Sequence, residues 1–295
     1  METRVTVFTI SQAQKQYLTY ILTDKQANSQ IEVVPERGAI ISRWKINEQD
    51  ILYLDEERFA NPELSIRGGI PILFPICGNL PNNTYTYNDQ QYQLKQHGVA
   101  RDLPWEVTET NTDNRLSITL TLNSNEATLA VYPFAFKLTF TYQLQGNRLK
   151  ILQSYTNCSE VKMPFAAGLH PYFAVQDKNQ LSCDIPATSY FDHISQETKS
   201  FPGKFDFELD EIDVAFTSIN RHHTSILNHH SASKVTIYYS DFYSTLVFWT
   251  IKGKDYVCLE PWSAPRNALN TKEQLTYIEP KSTYNSVVEM VWEAI

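Results

Sequence analysis

The chain of 295 residues has few glycines and cysteines, no long apolar run and no excess of basic residues. Its apolar stretches are far shorter than the roughly 20 residues that a membrane-spanning helix needs, so no membrane partner is expected. A formal net charge of -8 disfavours a nucleic-acid partner, because such a surface repels phosphate backbones on average. No basic segment followed by an apolar run opens the chain, so we predict a cytoplasmic protein without a secretory signal.

Metal and cofactor signatures are also lacking. The cysteines form no CxxC pair, which argues against a zinc knuckle and predicts four buried free thiols, at Cys77, Cys158, Cys183 and Cys258. The pairs His222-His223 and His229-His230 have no carboxylate or cysteine set at metal-site spacing beside them, so a solvated loop is expected there. Because no P-loop, GxGxxG or HExxH pattern occurs either, we expect no metal and no cofactor.

Alternation of apolar and polar residues with a period of two dominates the chain, and helical periodicity is sparse. A hairpin is predicted where Phe136–Leu144 and Leu149–Tyr155 flank a turn at Gly146-Asn147, because these residues tolerate a positive φ. A second hairpin is predicted within Ile31–Ile46, and a single helical turn at Glu56–Ala60. Further strands are predicted at Thr3–Ile10, Leu116–Leu122, Lys234–Tyr239, Thr245–Ile251, Tyr256–Leu259 and Val287–Trp292.

The domain organisation is predicted to be simple. The sequence contains no linker, repeat or low-complexity run, and strands do not alternate with helices. These features favour one all-β domain over residues 1–295, built as a large antiparallel β-sandwich. The polar and irregular stretch Asp177–His230 is expected to hold long loops.

Two segments in the first third of the chain contain candidate functional residues. Arg67 stands at the start of Ile66–Pro75, where paired glycines and two prolines fix an irregular backbone. A structural turn with a solvated arginine is the alternative. His97 lies beside a glycine within Gln96–Arg101, and the alternative is a histidine that only forms structural hydrogen bonds.

Two further segments place a histidine and a carboxylate near aromatic residues. His170 precedes Pro171, which restricts the histidine backbone to extended conformations, so its ring either points into a cleft or caps an aromatic cluster. Glu260 follows an apolar strand and lies close to Trp262. A partly desolvated carboxyl there would have a raised pKa, which suits a general base, whereas a strand-end glutamate in solvent is the alternative.

In this order, the segments RGGIPILFP, QHGVARDLPW, HPYF and LEPW resemble those of the aldose 1-epimerase (galactose mutarotase) family, and most of all its bacterial hexose-6-phosphate epimerase-like branch. The resemblance extends roughly from Ile31 to Trp292. It implies a large antiparallel β-supersandwich. It also implies a cofactor-independent mutarotase that interconverts the α and β anomers of an aldohexose or a hexose 6-phosphate by opening and closing the ring.

The resemblance implies roles for individual residues. Glu260 corresponds to the general base, His170 to the general acid and His97 to the histidine that holds the sugar near its ring oxygen. Arg67 corresponds to a substrate-binding arginine, and Asp213 to an aspartate that binds sugar hydroxyls. This chain departs from many family members in having proline after the acid histidine and two glycines directly after the arginine, and these departures bear on the substrate more than on the chemistry.

Other candidates follow from side-chain chemistry. Arg101 is a candidate to bind a 6-phosphate together with Arg67, because a guanidinium pairs bidentately with phosphate oxygens, and a surface salt bridge is the alternative. Five aromatic residues are candidates to stack on the sugar, with core packing as the alternative for each: Trp105, Trp249, Trp262, Tyr172 and Phe173.

Two other functions compete with the mutarotase hypothesis. A carbohydrate-binding protein on the same scaffold would not need both His170 and Glu260, since a binder requires no matched acid and base. A sugar lyase or hydrolase ranks last, because hydrolysis usually needs two facing carboxylates. The expected partner is a small-molecule sugar or sugar phosphate, and the expected assembly is a monomer or a homodimer.

Overall fold

The computed structural model describes residues 7–295. Strands account for 51% of the protein and helices for 9%. In chain order, the strands are β1 (Phe8–Gln14), β2 (Leu18–Asp24), β3 (Ser29–Val34), β4 (Ile40–Ile46), β5 (Gln49–Asp50), β6 (Ile72–Leu73), β7 (Thr84–Tyr87), β8 (Gln90–Gln93), β9 (Glu106–Asn111), β10 (Leu116–Asn123), β11 (Phe136–Gln145), β12 (Arg148–Asn157), β13 (Met163–Phe165), β14 (Gly168–Leu169), β15 (Tyr172–Ala174), β16 (Leu181–Asp184), β17 (Ser189–Asp192), β18 (Glu197–Ser200), β19 (Glu211–Phe216), β20 (His223–Asn228), β21 (Ser233–Tyr239), β22 (Thr245–Ile251), β23 (Tyr256–Trp262), β24 (Thr276–Ile278) and β25 (Thr283–Ala294).

Helices are short. They are α1 (Glu56–Ala60), α2 (Glu126–Val131) and α3 (Ala268–Thr271), with 3-10 turns at Pro35–Arg37, Pro81–Asn83, Ala100–Asp102 and Lys178–Gln180. The predicted helical turn at Glu56–Ala60 is confirmed, and Asp55 caps it by accepting a hydrogen bond from the Arg58 backbone amide. In the described part of the chain, every helix falls short of the length and apolar character that crossing a bilayer requires.

Three antiparallel sheets carry most of the strands. One has the order β1-β2-β3-β4-β5, and a second has the order β16-β20-β21-β25-β12-β11-β10-β9. The third, called the site sheet below, has the order β18-β17-β19-β22-β23-β14-β6, with β15 also paired to β23. Two short ribbons, β7-β8 and β13-β24, complete the pairing. The predicted antiparallel β-sandwich is therefore confirmed.

Most predicted strands lie where the alternation placed them. Strands β11 and β12 form the predicted hairpin, with Gln145 opposite Arg148 and Gly146 in the turn at a φ of 59°. The hairpin within Ile31–Ile46 is present as β3 and β4. The predicted first strand is only partly described, because residues 3–6 lie outside the described range and β1 begins at Phe8.

The expectation of long loops over Asp177–His230 is correct only in part, because residues 201–210 form a loop while the stretch also holds several strands. Strands β16 to β20 lie within this stretch, and β17 and β18 form a hairpin with partly exposed side chains. A hairpin of this kind can form without alternation of apolar and polar residues, because side-chain hydrogen bonds hold its turn. The Asp192 carboxylate accepts hydrogen bonds from the Ile194 amide and from Lys199. His223 likewise belongs to β20, whereas His222, His229 and His230 are exposed as expected.

The cysteine prediction is correct only in part. All four thiols are free, but only Cys77 and Cys258 are buried, while Cys158 is exposed and Cys183 is partly buried. The aromatic residues pack mostly between sheets, as in the edge-to-face contact of Phe74 with Phe136 at 4.9 Å between ring centroids. One large cluster of buried side chains includes residues from Leu22 to Trp292, and the single domain over residues 1–295 stays a prediction.

A backbone contact at Gly98 holds the loop that carries His97. Phe74 donates its amide to the His97 carbonyl, and Val99 donates its amide to the Phe74 carbonyl at 2.8 Å. Gly98 has a φ of 76°, and a Cβ there would lie 2.1 Å from the Phe74 carbonyl oxygen. Any side chain at position 98 would therefore push the His97 loop away from the strand that follows the paired glycines.

We predict that Gly98→Ala destabilises the protein much more than Gly146→Ala. Both glycines have a positive φ, but a Cβ at position 146 meets no atom within 4 Å. Gly146→Ala should therefore cost only the backbone strain of about 1 kcal/mol, whereas Gly98→Ala should cost at least about 2 kcal/mol more. Urea unfolding of both variants measures the difference, and equal losses would contradict this account of the loop.

Candidate active site

Seven predicted site residues line one cavity of about 270 Å³ on one face of the site sheet: Arg67, His97, Arg101, His170, Asp213, Glu260 and Trp262. The alternation of strand side chains explains half of this wall, because every second residue of a strand faces the same side. Strand β19 contributes Glu211 and Asp213, β22 contributes Val247 and Trp249, and β23 contributes Glu260 and Trp262. Tyr172 lies on β15 and Arg266 in the loop after β23, while the remaining residues come from loops beside β6, β8 and β14.

His97 is held in a left-handed backbone conformation, with a φ of 67°. Such a conformation is uncommon for a residue with a side chain and is maintained by its surroundings. The His97 amide donates to the Gly78 carbonyl at 2.7 Å, and the Gly78 amide donates to His97 Nδ1 at 3.1 Å. Because Nδ1 accepts a hydrogen bond, the proton of the neutral ring resides on Nε2. Burial, followed by the charge of Arg101, lowers the pKa of His97 well below its usual value, so the ring is a neutral donor.

His170 lies between β14 and β15, where its amide donates to the Pro71 carbonyl at 3.0 Å. Its ring stacks on Tyr172 with centroids 4.7 Å apart and an interplanar angle of 8°, and it meets the edge of Trp249. The two alternatives for this residue are thus combined. The aromatic cluster fixes the ring, and the fixed ring lines the cavity.

Glu260 is buried, with a side chain that is 1% exposed, which excludes the alternative of a strand-end glutamate in solvent. Its Oε2 accepts a hydrogen bond from Trp262 Nε1 at 3.0 Å, and its Oε1 lies 3.4 Å from His170 Nε2. Burial raises the pKa of Glu260 well above its usual value, although the Trp262 hydrogen bond opposes this shift.

His170 and Glu260 form a close, buried pair. Burial, followed by the charges of Arg101 and Arg67, lowers the pKa of His170 well below its usual value. The environment therefore disfavours both an isolated imidazolium and an isolated carboxylate.

Arg67 and Arg101 both line the cavity from loops. The Arg67 guanidinium lies 4.7 Å from the centre of the Trp249 ring, and it has no salt bridge to any carboxylate of residues 7–295. Arg101 donates to the Gln96 carbonyl at 3.0 Å, and its side chain is only 15% exposed. The predicted surface salt bridge exists as a long contact of 3.9 Å to Asp102, which leaves the guanidinium available to a ligand.

Two charged contacts in the cavity escaped the sequence prediction. Arg266 donates to both carboxylate oxygens of Asp213, at 2.7 and 2.8 Å. Trp249 Nε1 donates to Glu211 at 2.7 Å. Glu211 had a usable signal, because it lies two residues before Asp213 and so on the same strand face. Arg266 had none, since it lies in the loop after β23 without a recognisable motif.

Two of the five stacking candidates were wrongly placed. Trp105 is a core residue that packs edge-on against Phe140 and donates Nε1 to the Ala100 carbonyl. Phe173 is buried and does not line the cavity, because it follows Tyr172 in β15 and faces the opposite side. Trp249, Trp262 and Tyr172 do line the cavity.

Comparison with known proteins agrees with the fold. A family model described as aldose 1-epimerase matches residues 20–290. The Slr1438 protein of Synechocystis sp. PCC 6803 is 44% identical, with a TM-score of 0.94 over 97% of this chain and 99% of that one. A galactose mutarotase-like protein of Clostridium acetobutylicum, at 18% identity, shares the fold with a TM-score of 0.83 over 98% of this chain and 99% of its own.

Curated relatives are more distant. The plasmid-encoded LacX protein of Lactococcus lactis is 25% identical over 258 residues, which cover 76% of this chain and 85% of LacX. A protein of Salmonella typhimurium, provisionally named a glucose-6-phosphate 1-epimerase, is 31% identical over 144 residues. That match covers 48% of this chain and 44% of the relative.

We predict that Trp262→Phe raises the pKa of Glu260 further. The indole hydrogen bond stabilises the carboxylate form, so its removal leaves only the charges of Arg266 and Arg101 to oppose the effect of burial. The pH dependence of the carboxyl infrared band, compared with that of Glu260→Gln, measures the shift. Trp249→Phe is the matched control, because its indole donates to Glu211 instead. A lowered pKa in Trp262→Phe, or equal shifts in both variants, would contradict the assignment.

Proposed function

The chain belongs to the aldose 1-epimerase family, and on that premise we propose that it is a mutarotase acting on a hexose or a hexose 6-phosphate. The observation that carries the proposal is the contact of His170 Nε2 with Glu260 Oε1, 3.4 Å apart in a largely buried cavity. A sugar can present its C1 hydroxyl and its ring oxygen to these two atoms at the same time. Such an arrangement is what ring opening by a base and an acid requires.

The proposed reaction begins when the Glu260 carboxylate removes the proton of the C1 hydroxyl and His170 Nε2 delivers a proton to the ring oxygen. The bond between C1 and the ring oxygen breaks, and C1 becomes an aldehyde carbon. Rotation about C1–C2 exposes the other face of the carbonyl, and the reverse proton transfers close the ring as the opposite anomer. The Nε2–H of His97 donates to the oxygen that develops charge.

The proton count of this scheme balances within the site. In each ring opening His170 gives one proton and Glu260 receives one, so the pair holds one proton before and after the step. Ring closure returns the proton to His170. Burial is therefore compatible with the chemistry, because the net charge of the pair never changes and no proton has to cross from solvent.

The rest of the cavity supports sugar binding. Asp213 and Glu211 are hydroxyl acceptors, each already oriented by a partner, Arg266 and Trp249 respectively. Tyr172 and Trp262 offer apolar ring surfaces for the sugar faces. A volume of about 270 Å³ lies at the lower end of ligand pockets and favours one sugar ring over an oligosaccharide.

The proposed substrate carries a 6-phosphate, which would explain why Arg67 and Arg101 line the cavity. Arg67 and Arg101 bring two guanidiniums into the cavity without a close carboxylate for either, and such groups bind phosphate bidentately. The provisional naming of curated relatives as glucose-6-phosphate 1-epimerases supports the same substrate. The cytoplasmic location and the monomeric or dimeric state stay predictions.

A carbohydrate-binding protein without catalysis is the second candidate. It would explain the aromatic walls, but it leaves the buried His170–Glu260 pair unexplained, because burying two ionisable groups costs stability. The enzyme hypothesis assigns both groups a task and is preferred for that reason.

We expect His170→Ala and Glu260→Gln each to slow anomer exchange by about 10²–10⁴-fold, since each removes one positioned proton-transfer group. Saturation-transfer NMR on glucose, galactose and glucose 6-phosphate measures the exchange. His223→Ala and Glu279→Gln, which alter the same residue types outside the cavity, should match the wild type. Exchange at the buffer rate for all three sugars in the wild type would overturn the proposal, and retained sugar binding would then favour the binding protein.

Arg67→Met and Arg101→Met should each raise KM for glucose 6-phosphate about 10-fold or more, because a charge-assisted hydrogen bond to phosphate is lost. KM for free glucose should change much less. Arg148→Met, which alters an exposed arginine on β12, serves as the control. If both substrates respond equally to the cavity variants, the arginines do not act on the phosphate.

A further inference from the structure

Cys258 is a buried thiol that the proposed reaction does not use. It lies in β23 two residues before Glu260, so both side chains project from the same face of the site sheet. Its neighbours across the sheet are Trp249 on β22 and Tyr172 on β15. The strand pairing therefore places a thiol directly beside the carboxylate and the imidazole of the pair.

The three side chains form the one group of potential metal ligands found among residues 7–295. One ligand atom from each of His170, Cys258 and Glu260 lies within 4.8 Å of the other two, and all three residues are buried. His170 Nδ1 has no hydrogen-bond partner in the described structure. The cluster combines a nitrogen, a sulfur and an oxygen donor, which is a set that zinc accepts.

Distances in the group approach those of a bound zinc ion. Any two ligand atoms of a tetrahedral zinc site are about 3.5 Å apart, because the bonds to zinc are about 2.0–2.3 Å long. His170 Nε2 and Glu260 Oε1 already lie 3.4 Å apart. Because no separation exceeds 4.8 Å, the sulfur has to approach by only about 1 Å.

We propose that His170, Cys258 and Glu260 bind Zn²⁺ or a similarly thiophilic divalent cation, and that this ion inhibits the protein by occupying its acid–base pair. Three protein ligands leave a fourth position, which faces the sugar cavity and is open to water. Binding of the ion and binding of a sugar are therefore mutually exclusive.

Charge balance limits the affinity without preventing binding. Coordination sends the thiol proton and the one proton of the pair to solvent, so Zn²⁺ meets a thiolate and a carboxylate and the site becomes neutral. Arg67, Arg101 and Arg266 oppose the cation, while Asp213 and Glu211 favour it. The ion is an inhibitor in this proposal and supplies no step of the reaction.

Calorimetric titration of the full chain with ZnCl₂, and absorption spectroscopy with CoCl₂, test the site directly. We expect one ion per chain, a thiolate-to-cobalt charge-transfer band, and inhibition of anomer exchange that glucose 6-phosphate relieves. Cys258→Ser and Cys258→Ala should weaken zinc binding at least about 10-fold. Their anomer exchange without metal should equal that of the wild type, which also shows that they fold.

Matched controls come from the other cysteines. Cys77→Ser changes a second buried thiol and Cys158→Ser an exposed one, and both variants should bind zinc as the wild type does. The proposal is overturned if the wild type shows no cobalt–thiolate band, if Cys258→Ser binds zinc unchanged, or if Cys158→Ser abolishes the band. If the Cys258 variants do not fold, the metal site is tested by the cobalt–thiolate band of the wild type and by the loss of that band in Glu260→Gln.

The binding measurements do not depend on the proposed function, whereas the inhibition does. Zinc binding at Cys258 without any anomer exchange in the wild type would leave the metal site standing and reject the mutarotase. Anomer exchange without zinc binding would leave the mutarotase proposal standing and reject the metal site.

Discussion

The approach of His170 Nε2 to Glu260 Oε1, 3.4 Å apart and almost without solvent, is the constraint on which the rest of the site depends. Burial disfavours the charged form of each group, because it lowers the pKa of His170 and raises the pKa of Glu260. Trp262 opposes the shift at Glu260 by donating a hydrogen bond, and Tyr172 fixes the His170 ring by stacking. These neighbours lie on adjacent strands of one sheet, so the fold itself sets the geometry of the pair.

Local electrostatics in the cavity differ from those of the whole molecule. The chain carries a formal net charge of -8, yet its cavity contains Arg67, Arg101 and Arg266. Asp213 neutralises Arg266, which leaves the other two guanidiniums for a ligand anion. The net charge of the chain therefore argued against a nucleic-acid partner but did not bear on a phosphosugar. A few buried charges dominate the potential inside the cavity, because the distant surface charges are screened.

Sequence alternation predicted the strands well, because a half-buried strand must alternate. It also pointed to a desolvated Glu260, since an apolar strand leads into that residue. It could not show which strand face meets the cavity, and this is why Phe173 was misassigned. Trp105 was misassigned because it precedes β9 and packs in the core. Glu211 was missed although its spacing from Asp213 places it on the same strand face. The convergence of His97, His170 and Glu260 depends on strand order, and the role of Cys258 depends on a histidine 88 residues earlier in the chain. Neither can be read from spacing along the sequence.

A crystal structure of Glu260→Gln with glucose 6-phosphate tests the central claim most directly, because that variant should retain the sugar ring intact. The account predicts the C1 hydroxyl next to residue 260, the ring oxygen within hydrogen-bond distance of His170 Nε2, and the phosphate against Arg67 and Arg101. A sugar bound with C1 directed away from both residues, toward solvent, would contradict acid–base ring opening by this pair.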